Sequence, residues 1–445
     1  MNPHFTPHTI NINDVTIIIK TFLRRQTCQR TINHIRKYYP RIKIYVADDS
    51  HESYQFKDID EYYYLGFDKG LSYGRNFLID KVSTKYFFLM DDDIEFGEKT
   101  WLEYLMYILE KYPIDVIGCR PINYEKNKTR ISYPAKLPIE NRIMYRKNNE
   151  PTGYEGKIAL YDFIPNYFMG KTQVFKEKGI KWDDELKMGE HFEFFYRNKG
   201  LLKITYAPTI ILFNRQDTKD RNEEYLKFRQ RASMFESQVN KKLNVDRITV
   251  VTTTTITPPL PISMVEFIKL YCQRVNEDHN FIFVLGISNE AISSAIKLLT
   301  DSGGVYSGGV YSGGLYSGGK IGLTWKKQLM LLYRLLLTLG TYKEKMICDG
   351  GSYFLPYLGN IIKLLPKAKC VIIKSEKEKV MKELKPNKLT NKLTMEYPQY
   401  SQVNEKWREV YWQGYERKIY RLGKKYTDNV KIIPESQLSS LREIL

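Results

Sequence analysis

Apolar segments of strand length alternate with amphipathic segments of helix length through the first 120 residues of this 445-residue chain. Residues 15–19 are apolar and β-branched, and residues 26–39 carry apolar side chains at helical spacing before Pro40. Further strands are predicted at 42–47, 62–65, 86–90 and 115–119, and further helices at 72–82 and 101–112. Strands that alternate with helices build a mostly parallel sheet covered on both faces, so the sequence predicts an α/β fold.

A Thr- and Pro-rich segment, TTTTITPPLP at residues 252–261, interrupts this pattern. Because its composition is incompatible with a helix, we predict a linker at 246–261 between a first domain at 1–245 and a second at 262–445.

Strand and helix patterns alternate again in the second predicted domain. Strands are predicted at 281–285 and 370–373, and helices at 290–300, 328–339 and 357–365. Three copies of a VYSGG or LYSGG unit lie within residues 302–319. Gly and Ser at this density predict a flexible, exposed insert in a second α/β domain.

Composition narrows the possible ligands. The formal net charge is +18, which favours phosphate-bearing ligands, whereas the Lys-rich stretches lack the Arg and aromatic pattern of a nucleic-acid interface. We therefore expect no nucleic-acid partner. Five widely spaced cysteines, without a CxxC pair, predict reduced buried thiols and neither a disulfide framework nor a zinc site.

Membrane and targeting signals are not expected. A membrane span needs about 18 or more consecutive apolar residues, and the best candidate, residues 329–339, is shorter and contains Arg334. Residues 1–14 lack the basic and apolar pattern of a secretory signal. The expected location is therefore the cytoplasm. Richness in Lys, Ile, Asn and Tyr is typical of an AT-rich genome, for example a viral one, and the location would then be the host cytoplasm.

Polar residues follow three of the predicted strands directly. The first strand is followed by KTFLRR at residues 20–25, the second by Asp48, Asp49 and Ser50, and a later apolar strand by an acidic triplet at 91–93. In an open α/β sheet, ligands bind beyond the carboxyl ends of the strands. These segments therefore predict a ligand site at one edge of the sheet.

The acidic triplet, Asp91, Asp92 and Asp93, has two interpretations. Neighbouring carboxylates repel one another, and a divalent cation such as Mg²⁺ or Mn²⁺, shared with a substrate diphosphate, would neutralise them. Alternatively, the triplet is an acidic turn that caps the next element. Arg24 and Arg75 favour the first interpretation, because they offer cations for phosphate.

Asp48 and Asp49 can accept hydrogen bonds from a nucleoside at the same edge. Together with the arginines and the acidic triplet, they predict a nucleotide-diphosphate site.

Five segments in order carry a family resemblance: VTIIIKTFLR, YVADDS, FDKGLSYGRNFLIDKV, YFFLMDDDIEF and MGEHFEFFYRNKGLLKITYAPTIIL. Over residues 14–215 the chain resembles inverting glycosyltransferases with the Rossmann-like GT-A fold, most of all the beta-1,4-N-acetylgalactosaminyltransferase branch of family 2. The resemblance implies a metal-dependent transfer, with Mn²⁺ or Mg²⁺, of a hexose or N-acetylhexosamine from a UDP-sugar to a glycan acceptor.

The resemblance also implies roles for individual residues. Asp93 would ligate the metal, and Asp91 would reach the metal or the ribose. The implied donor-binding residues are Thr21, Arg24, Asp48, Asp49, Arg75, Asp91 and Asp92.

The catalytic base is implied within residues 189–195, GEHFEFF. An inverting transfer needs one base for the proton of the acceptor hydroxyl. Many relatives have Glu-Asp where this chain has Glu190 and His191, so both are candidates; we favour Glu190 and expect Glu193 to be structural. Relatives often have a histidine metal ligand near Asn214, which would leave fewer protein ligands here or let His191 substitute.

The second domain weakly resembles the sulfotransferase fold, through FIFVLGISNEAISSAIKLL and ICDGGSYFLPYLGNIIKLLPKAKCVIIKSEKEKV. Residues 286–290, GISNE, have an acid where that family has a cation, and Lys374 next to Ser375 replaces the usual arginine. These departures predict a degenerate donor site. The alternatives are a sulfotransferase, a bifunctional glycosyl- and sulfotransferase, or a nonenzymatic scaffold with relic nucleotide pockets.

Overall fold

A computed structural model describes residues 10–97, 99–125, 128–215, 223–251, 257–263, 266–267, 270, 280–286, 294–295, 297–298, 305–306, 346–350, 358–378 and 407–444. The chain divides into two compact units, Met1–Phe267 and Ile268–Leu445. The segment predicted as a linker contains a strand at Arg247–Val251, and the predicted domain bounds stay a prediction.

The strands of the first unit are, in chain order, β1 (Val15–Thr21), β2 (Lys43–Asp48), β3 (Glu61–Tyr64), β4 (Tyr86–Asp91), β5 (Ile94–Phe96), β6 (Val116–Glu125), β7 (Lys128–Ile131), β8 (Ala135–Lys136), β9 (Ile139–Glu140), β10 (Ile143–Asn148), β11 (Gly153–Glu155), β12 (Ile158–Leu160), β13 (Phe168–Lys171), β14 (Ile204–Arg215) and β15 (Arg247–Val251). Its helices are α1 (Arg25–Tyr38), α2 (Leu71–Lys81), α3 (Leu102–Lys111), α4 (Thr172–Glu177), α5 (His191–Arg197), α6 (Glu223–Arg229) and α7 (Ala232–Leu243), with a 3₁₀ turn at Ile12–Asp14.

A nine-stranded mixed sheet forms the centre of this unit. Its order is β3-β2-β1-β4-β13-β6-β14-β5, and β7 pairs with β6. Strands β1 to β4, β6 and β14 run in one direction, and β5, β7 and β13 run in the other. The predicted α/β class is therefore confirmed for the first unit, where the sheet is mixed and six of its nine strands share one direction. Two smaller sheets, β15-β10-β8 with β9 and β11-β12, complete it.

The local sequence explains why these elements pack as they do. All seven residues of β1 are buried, as expected for a strand covered on both faces. Helix α1 buries one stripe that includes Cys28, Ile32 and Ile35, while its other face is polar. An aromatic core supports α5, where Trp182 stacks on Phe194 at 4.1 Å between ring centroids.

The second unit contains β16 (Asn280–Gly286), β17 (Val305–Tyr306), β18 (Met346–Gly350), β19 (Lys369–Lys374) and β20 (Val430–Pro434), with α8 (Leu358–Leu364), α9 (Trp407–Lys425), α10 (Leu441–Ile444) and a 3₁₀ turn at Glu435–Ser440. The five strands are parallel, in the order β17-β18-β16-β19-β20. The predicted helix at 328–339 and most of that at 290–300 lie outside the described residues. Of the YSGG insert, only Val305–Tyr306 is described, as strand β17.

Two further predictions concern thiols and membranes. The cysteines whose side chains are described, Cys28, Cys119 and Cys370, are buried and form no disulfide. Within the described ranges, no helix combines the length and the apolar character that crossing a bilayer requires.

Candidate functional site

The carboxyl ends of β1, β2 and β4 meet at one edge of the central sheet. Thr21 is in register with Asp48, and Lys20 is in register with Asp91. The pairing of these parallel strands therefore brings together the three polar segments that the sequence singled out.

The acidic triplet occupies the end of β4 and the turn into β5. Thr21 donates a hydrogen bond from Oγ1 to Oδ2 of Asp92 at 2.7 Å. Arg24 donates from Nη1 to Oδ2 of Asp93 at 3.0 Å and from Nη2 to Oδ1 of Asp92. Burial raises the pKa of Asp92 to about 6 and also raises the pKa of Asp93, although Arg24 opposes both shifts.

Arg75 connects this triplet to the segment that was predicted to carry the base. It lies in α2 and is only 1% exposed. Nη2 donates to Oδ1 of Asp91 at 2.9 Å, and Nη1 donates to Oε1 of Glu190. A single guanidinium thus joins a strand end to the start of α5, and Arg75 itself lies 115 residues before Glu190 in the chain.

Glu190 and His191 lie side by side but in different environments. Glu190 is 1% exposed, and its Oε1 also accepts a hydrogen bond from Nδ2 of Asn166 at 3.2 Å. Burial alone would raise its pKa, but His191 and Arg75 together hold the pKa well below its usual range. Nε2 of His191 lies 3.1 Å from Oε1 of Glu190, and the His191 side chain is 37% exposed. The carboxylate is therefore enclosed, and the imidazole is accessible.

A tyrosine and an asparagine extend the cluster on the other side of the triplet. The Tyr167 hydroxyl donates to Oδ2 of Asp91 at 3.2 Å, and Nδ2 of Asn214 donates to that hydroxyl at 3.2 Å. Oδ1 of Asn214 and Oδ1 of Asp93 are both buried without a hydrogen-bond partner among the described residues. Buried oxygens of this kind normally have a partner.

The fit of a divalent cation can be judged from these groups. Among the residues described, no three His, Cys, Asp or Glu side chains form a ready-made metal cluster. However, four carboxylates, those of the triplet and Glu190, are paired with two guanidinium groups, Arg24 and Arg75, and Glu190 also lies beside His191, which carries no charge when neutral. The fully ionised cluster therefore has two excess negative charges, and the two unpartnered oxygens are hard ligands of the type that Mg²⁺ and Mn²⁺ prefer. These residues fit a divalent cation.

A cleft opens beside the cluster, and the short helix α6 contributes one wall. Its lining residues are Lys20, Phe22, Arg24, Asp49, Asp68, Gly70, Leu71, Asp91, Asp92, Lys187, Met188, Tyr225, Phe228, Arg229 and Arg231. Asp68 accepts two hydrogen bonds from Arg231, at 2.8 and 2.9 Å, and one from Lys187 at 2.8 Å. Five cationic and four acidic side chains therefore line the cleft, and the arginine and lysine groups among them could contact an anionic ligand.

The two aspartates that follow β2 behave differently. Asp49 lines the cleft, where it pairs with Lys20 and accepts from the Gly70 amide at 2.7 Å. Gly70 has a φ of +98°, and a Cβ there would lie 2.7 Å from Lys187, so the position requires glycine. Asp48 instead accepts hydrogen bonds within its own turn, and it is not among the cleft residues described.

Other residues of the site were not predicted. Asn166 and Tyr167 precede β13 within an aromatic stretch, where no local pattern marks them as polar partners of Glu190 and Asp91. Tyr225 lies under the Arg24 guanidinium, 4.9 Å from ring centroid to Cζ, and is 201 positions away in the chain. Glu193, expected to be structural, bonds Arg197 one turn along α5.

Comparison with known proteins supports the resemblance in the first unit. The sequence profile of the family described as Glycosyl transferase family 2 matches residues 16–179. Mouse beta-1,4 N-acetylgalactosaminyltransferase 1 is 31% identical over 242 residues, which is 51% of this chain and 45% of that protein. Mouse beta-1,4 N-acetylgalactosaminyltransferase 2 is 34% identical over 203 residues, 45% of this chain and 39% of that protein. The predicted resemblance to this branch is confirmed, and the chain spans less than half the length of these relatives.

Among solved structures, Staphylococcus aureus TarS 1-349 in complex with UDP-GlcNAc aligns with a TM-score of 0.37 and 12% identity. The alignment covers 59% of this chain and 71% of that one.

Proposed function

We propose that the chain is an inverting glycosyltransferase that moves a hexose or N-acetylhexosamine from a UDP-sugar to a glycan acceptor with the help of Mn²⁺ or Mg²⁺. The observation that carries this proposal is the double contact of Arg75, which joins Asp91 at the end of β4 to Glu190 at the start of α5. The acidic triplet and Glu190 of the predicted base segment thereby become one cluster, two of whose members, Asp91 and Asp92, line the cleft. The family 2 match over residues 16–179 supports the same reaction class.

The cleft would bind the donor through its diphosphate. Arg24, Lys187, Arg229 and Arg231 surround it, and guanidinium groups suit phosphate because they form two parallel hydrogen bonds. Of Asp48 and Asp49, Asp49 would contact the nucleoside, because only Asp49 is among the described cleft residues.

Asp93 and Asn214 would hold the divalent cation through their unpartnered Oδ1 atoms, with Asp91 beside them. When bound, the cation supplies positive charge that stabilises the departing diphosphate.

Of the two candidates for the base, the geometry favours His191 over Glu190. Glu190 is buried and already accepts hydrogen bonds from Arg75 and Asn166, whereas His191 is more than a third exposed. An ionised Glu190 accepts the Nε2 proton of His191, which leaves the lone pair on Nδ1. Nδ1 would then take the proton of the acceptor hydroxyl as its oxygen bonds to the anomeric carbon and the bond from that carbon to the diphosphate breaks.

A second candidate function concerns the second unit. Residues 268–445 contain 28 Lys and Arg against 16 Asp and Glu. Lys374, which pairs with Glu416, ends β19 and Ser375 follows it, at the carboxyl edge of a fully parallel sheet. These features favour a phosphate-bearing ligand there, and the sulfotransferase-like prediction specifies adenosine 3′,5′-bisphosphate as the probe. A rise in melting temperature with this compound that Lys374→Ala abolishes would support it; no rise would contradict it.

The leading proposal is tested by incubating the full chain with UDP-glucose, UDP-galactose, UDP-GlcNAc and UDP-GalNAc, with Mn²⁺ or with EDTA, and measuring released UDP. We expect Mn²⁺-dependent release from at least one donor, increased by a glycan acceptor. Asp80→Ala, an exposed aspartate that pairs with Lys181, is the control and should behave like the parent chain. Absence of release from every donor, while the protein remains folded, would refute the proposal.

A further inference from the structure

Arg24 neutralises part of the acidic triplet, as a bound metal cation would. Its two terminal nitrogens donate to Asp92 and Asp93, and its side chain is 12% exposed. The residue precedes α1, at its N-terminal cap position, with backbone angles of −126° and 46° that are neither helical nor extended. The Arg24 backbone thus lies outside the helix, and its guanidinium is held by contacts to the side chains of the triplet.

The contact leaves groups unsatisfied on both sides. Nε of Arg24 and Oδ1 of Asp93 are both buried and lack a hydrogen-bond partner among the residues that the structure describes. A donor without an acceptor fits one more anionic oxygen, and an acceptor without a donor fits one more cation. The contact between Arg24 and Asp93 therefore leaves one polar atom of each residue without a partner. A diphosphate would supply the partner for Arg24, and a divalent cation would supply the partner for Asp93.

A divalent cation on Asp93 would compete with Arg24. Both would contact one carboxylate group, and two cations repel each other more strongly where water is excluded. Arg24 would then have to leave Asp93 or be neutralised by a new anion. The donor diphosphate would be that anion, because Arg24 lines the cleft.

We propose that Arg24 is an internal counter-cation: it holds Asp92 and Asp93 until a ligand binds, gives way to the divalent cation, and then binds the donor diphosphate. This inference rests on the proposed use of a metal ion and a nucleotide sugar. It makes binding of the cation and the donor interdependent, since Arg24 opposes the first and favours the second.

The test measures Mn²⁺ affinity by electron paramagnetic resonance on the full chain without nucleotide, and UDP affinity by calorimetry at saturating Mn²⁺. For Arg24→Ala we expect Mn²⁺ to bind about tenfold more tightly, because the competing charge is gone, and UDP to bind about tenfold more weakly, because a charged hydrogen bond is lost. A purely structural role for Arg24 would weaken both.

Arg30→Ala is the matched control. Arg30 lies in α1, close to Arg24 in the chain, but it faces Glu95, at 3.7 Å. It corrects for the general loss of one positive charge. If Arg24→Ala does not fold, Arg24→Lys keeps the charge but loses the two-pronged contact, and the same two shifts should appear with smaller size.

Mn²⁺ affinity in the Arg24 variants that equals or falls below that of Arg30→Ala would overturn the inference, and so would a failure of all variants to bind Mn²⁺. Sugar transfer is not needed for either measurement. Opposite shifts of Mn²⁺ and UDP affinity without release of UDP from any donor would therefore refute the proposed function and leave the role of Arg24 standing.

Discussion

Two arginines each join a pair of carboxylates in the same site, yet their surroundings differ. Arg75 lies within α2, is 1% exposed and has partners on β4 and at the start of α5. Arg24 lies ahead of α1 at the rim of the cleft, where 12% of its side chain is exposed and Tyr225 covers one face. The same residue type therefore serves as a fixed connector in one half of the site and as an exchangeable cation in the other.

The energetic reason is desolvation. Removing Arg75 leaves Glu190 buried, and the pKa of Glu190 lies well below its usual range, so it stays charged. Removing Arg24 also leaves buried carboxylates, but burial raises the pKa of Asp92 and of Asp93, so these groups can take up a proton and become neutral. This contrast yields a series of expected outcomes, from a large loss of stability to a small dependence on pH.

Substitution of Arg75 tests most directly whether the two arginines differ in their contribution to stability. Arg75→Met should lower the free energy of unfolding by about 3–5 kcal/mol, because Asp91 and Glu190 lose a shared buried partner. Urea denaturation monitored by circular dichroism measures the change. Arg24→Met should cost clearly less, and Arg142→Met, at an exposed pair with Asp246, should change little. Equal losses at Arg75 and Arg24 would show that the two halves of the site do not differ.

Substitution of Asp93, a partner of Arg24, tests whether this carboxylate holds the divalent cation. Asp93→Ala should reduce transfer by about 10³-fold or more, since it removes a charged group that acts on the departing diphosphate, while the protein still folds. Initial rates of UDP release measure the effect, and the circular dichroism spectrum checks the fold. Full activity in this variant would exclude Asp93 from cation binding.

Substitutions at Glu190 and His191, which lie near Arg75, distinguish the two candidates for the catalytic base. His191→Ala should lower kcat by about 10²-fold or more with little change in KM for the donor, because general base catalysis is lost. Glu190→Gln should lower kcat less than His191→Ala and also reduce stability, because it weakens the contact with Arg75. The reverse order would return the role of base to Glu190.

The smallest expected effect concerns Asp92 and pH. Burial raises its pKa from 3.8 to about 6 in the folded protein, so the fold holds this proton more tightly than the unfolded chain does. Its contribution to stability is fully present below pH 3.8 and is lost as the pH rises to about 6. The unfolding free energy of the parent chain, relative to Asp92→Asn, should therefore fall by about 2 kcal/mol over this range. Urea titrations in EDTA at several pH values test this, and a difference that does not vary with pH would contradict it.

The predicted elements that depend on local pattern agree well with the structure. The helix predicted at 26–39 is observed at Arg25–Tyr38, and the strand predicted at 86–90 is observed at Tyr86–Asp91. By contrast, β13, four residues long, was not predicted. It inserts between β4 and β6 and runs antiparallel to both, so its formation depends on two partners far away in sequence.

The residues of the candidate site likewise fall into those that the sequence reveals and those that only the fold reveals. Asp91, Asp92 and Asp93 could be singled out because three acids that follow an apolar strand are visible in the sequence, and parallel strands bring such ends to one edge. Asn166, Tyr167 and Tyr225 could not, since each is an ordinary polar or aromatic residue until the fold places it against a charged group.

The alternation of strands and helices, and the gathering of acidic and basic groups at one edge of the sheet, could thus be inferred from the sequence. The fold was needed to show which arginine pairs with which carboxylate, that Glu190 is enclosed while His191 is accessible, and that Asp49 but not Asp48 lines the cleft. The reason is physical: strand order follows from periodic local patterns, whereas burial and ion pairing depend on contacts such as that of Arg75 with Glu190, which lie 115 residues apart.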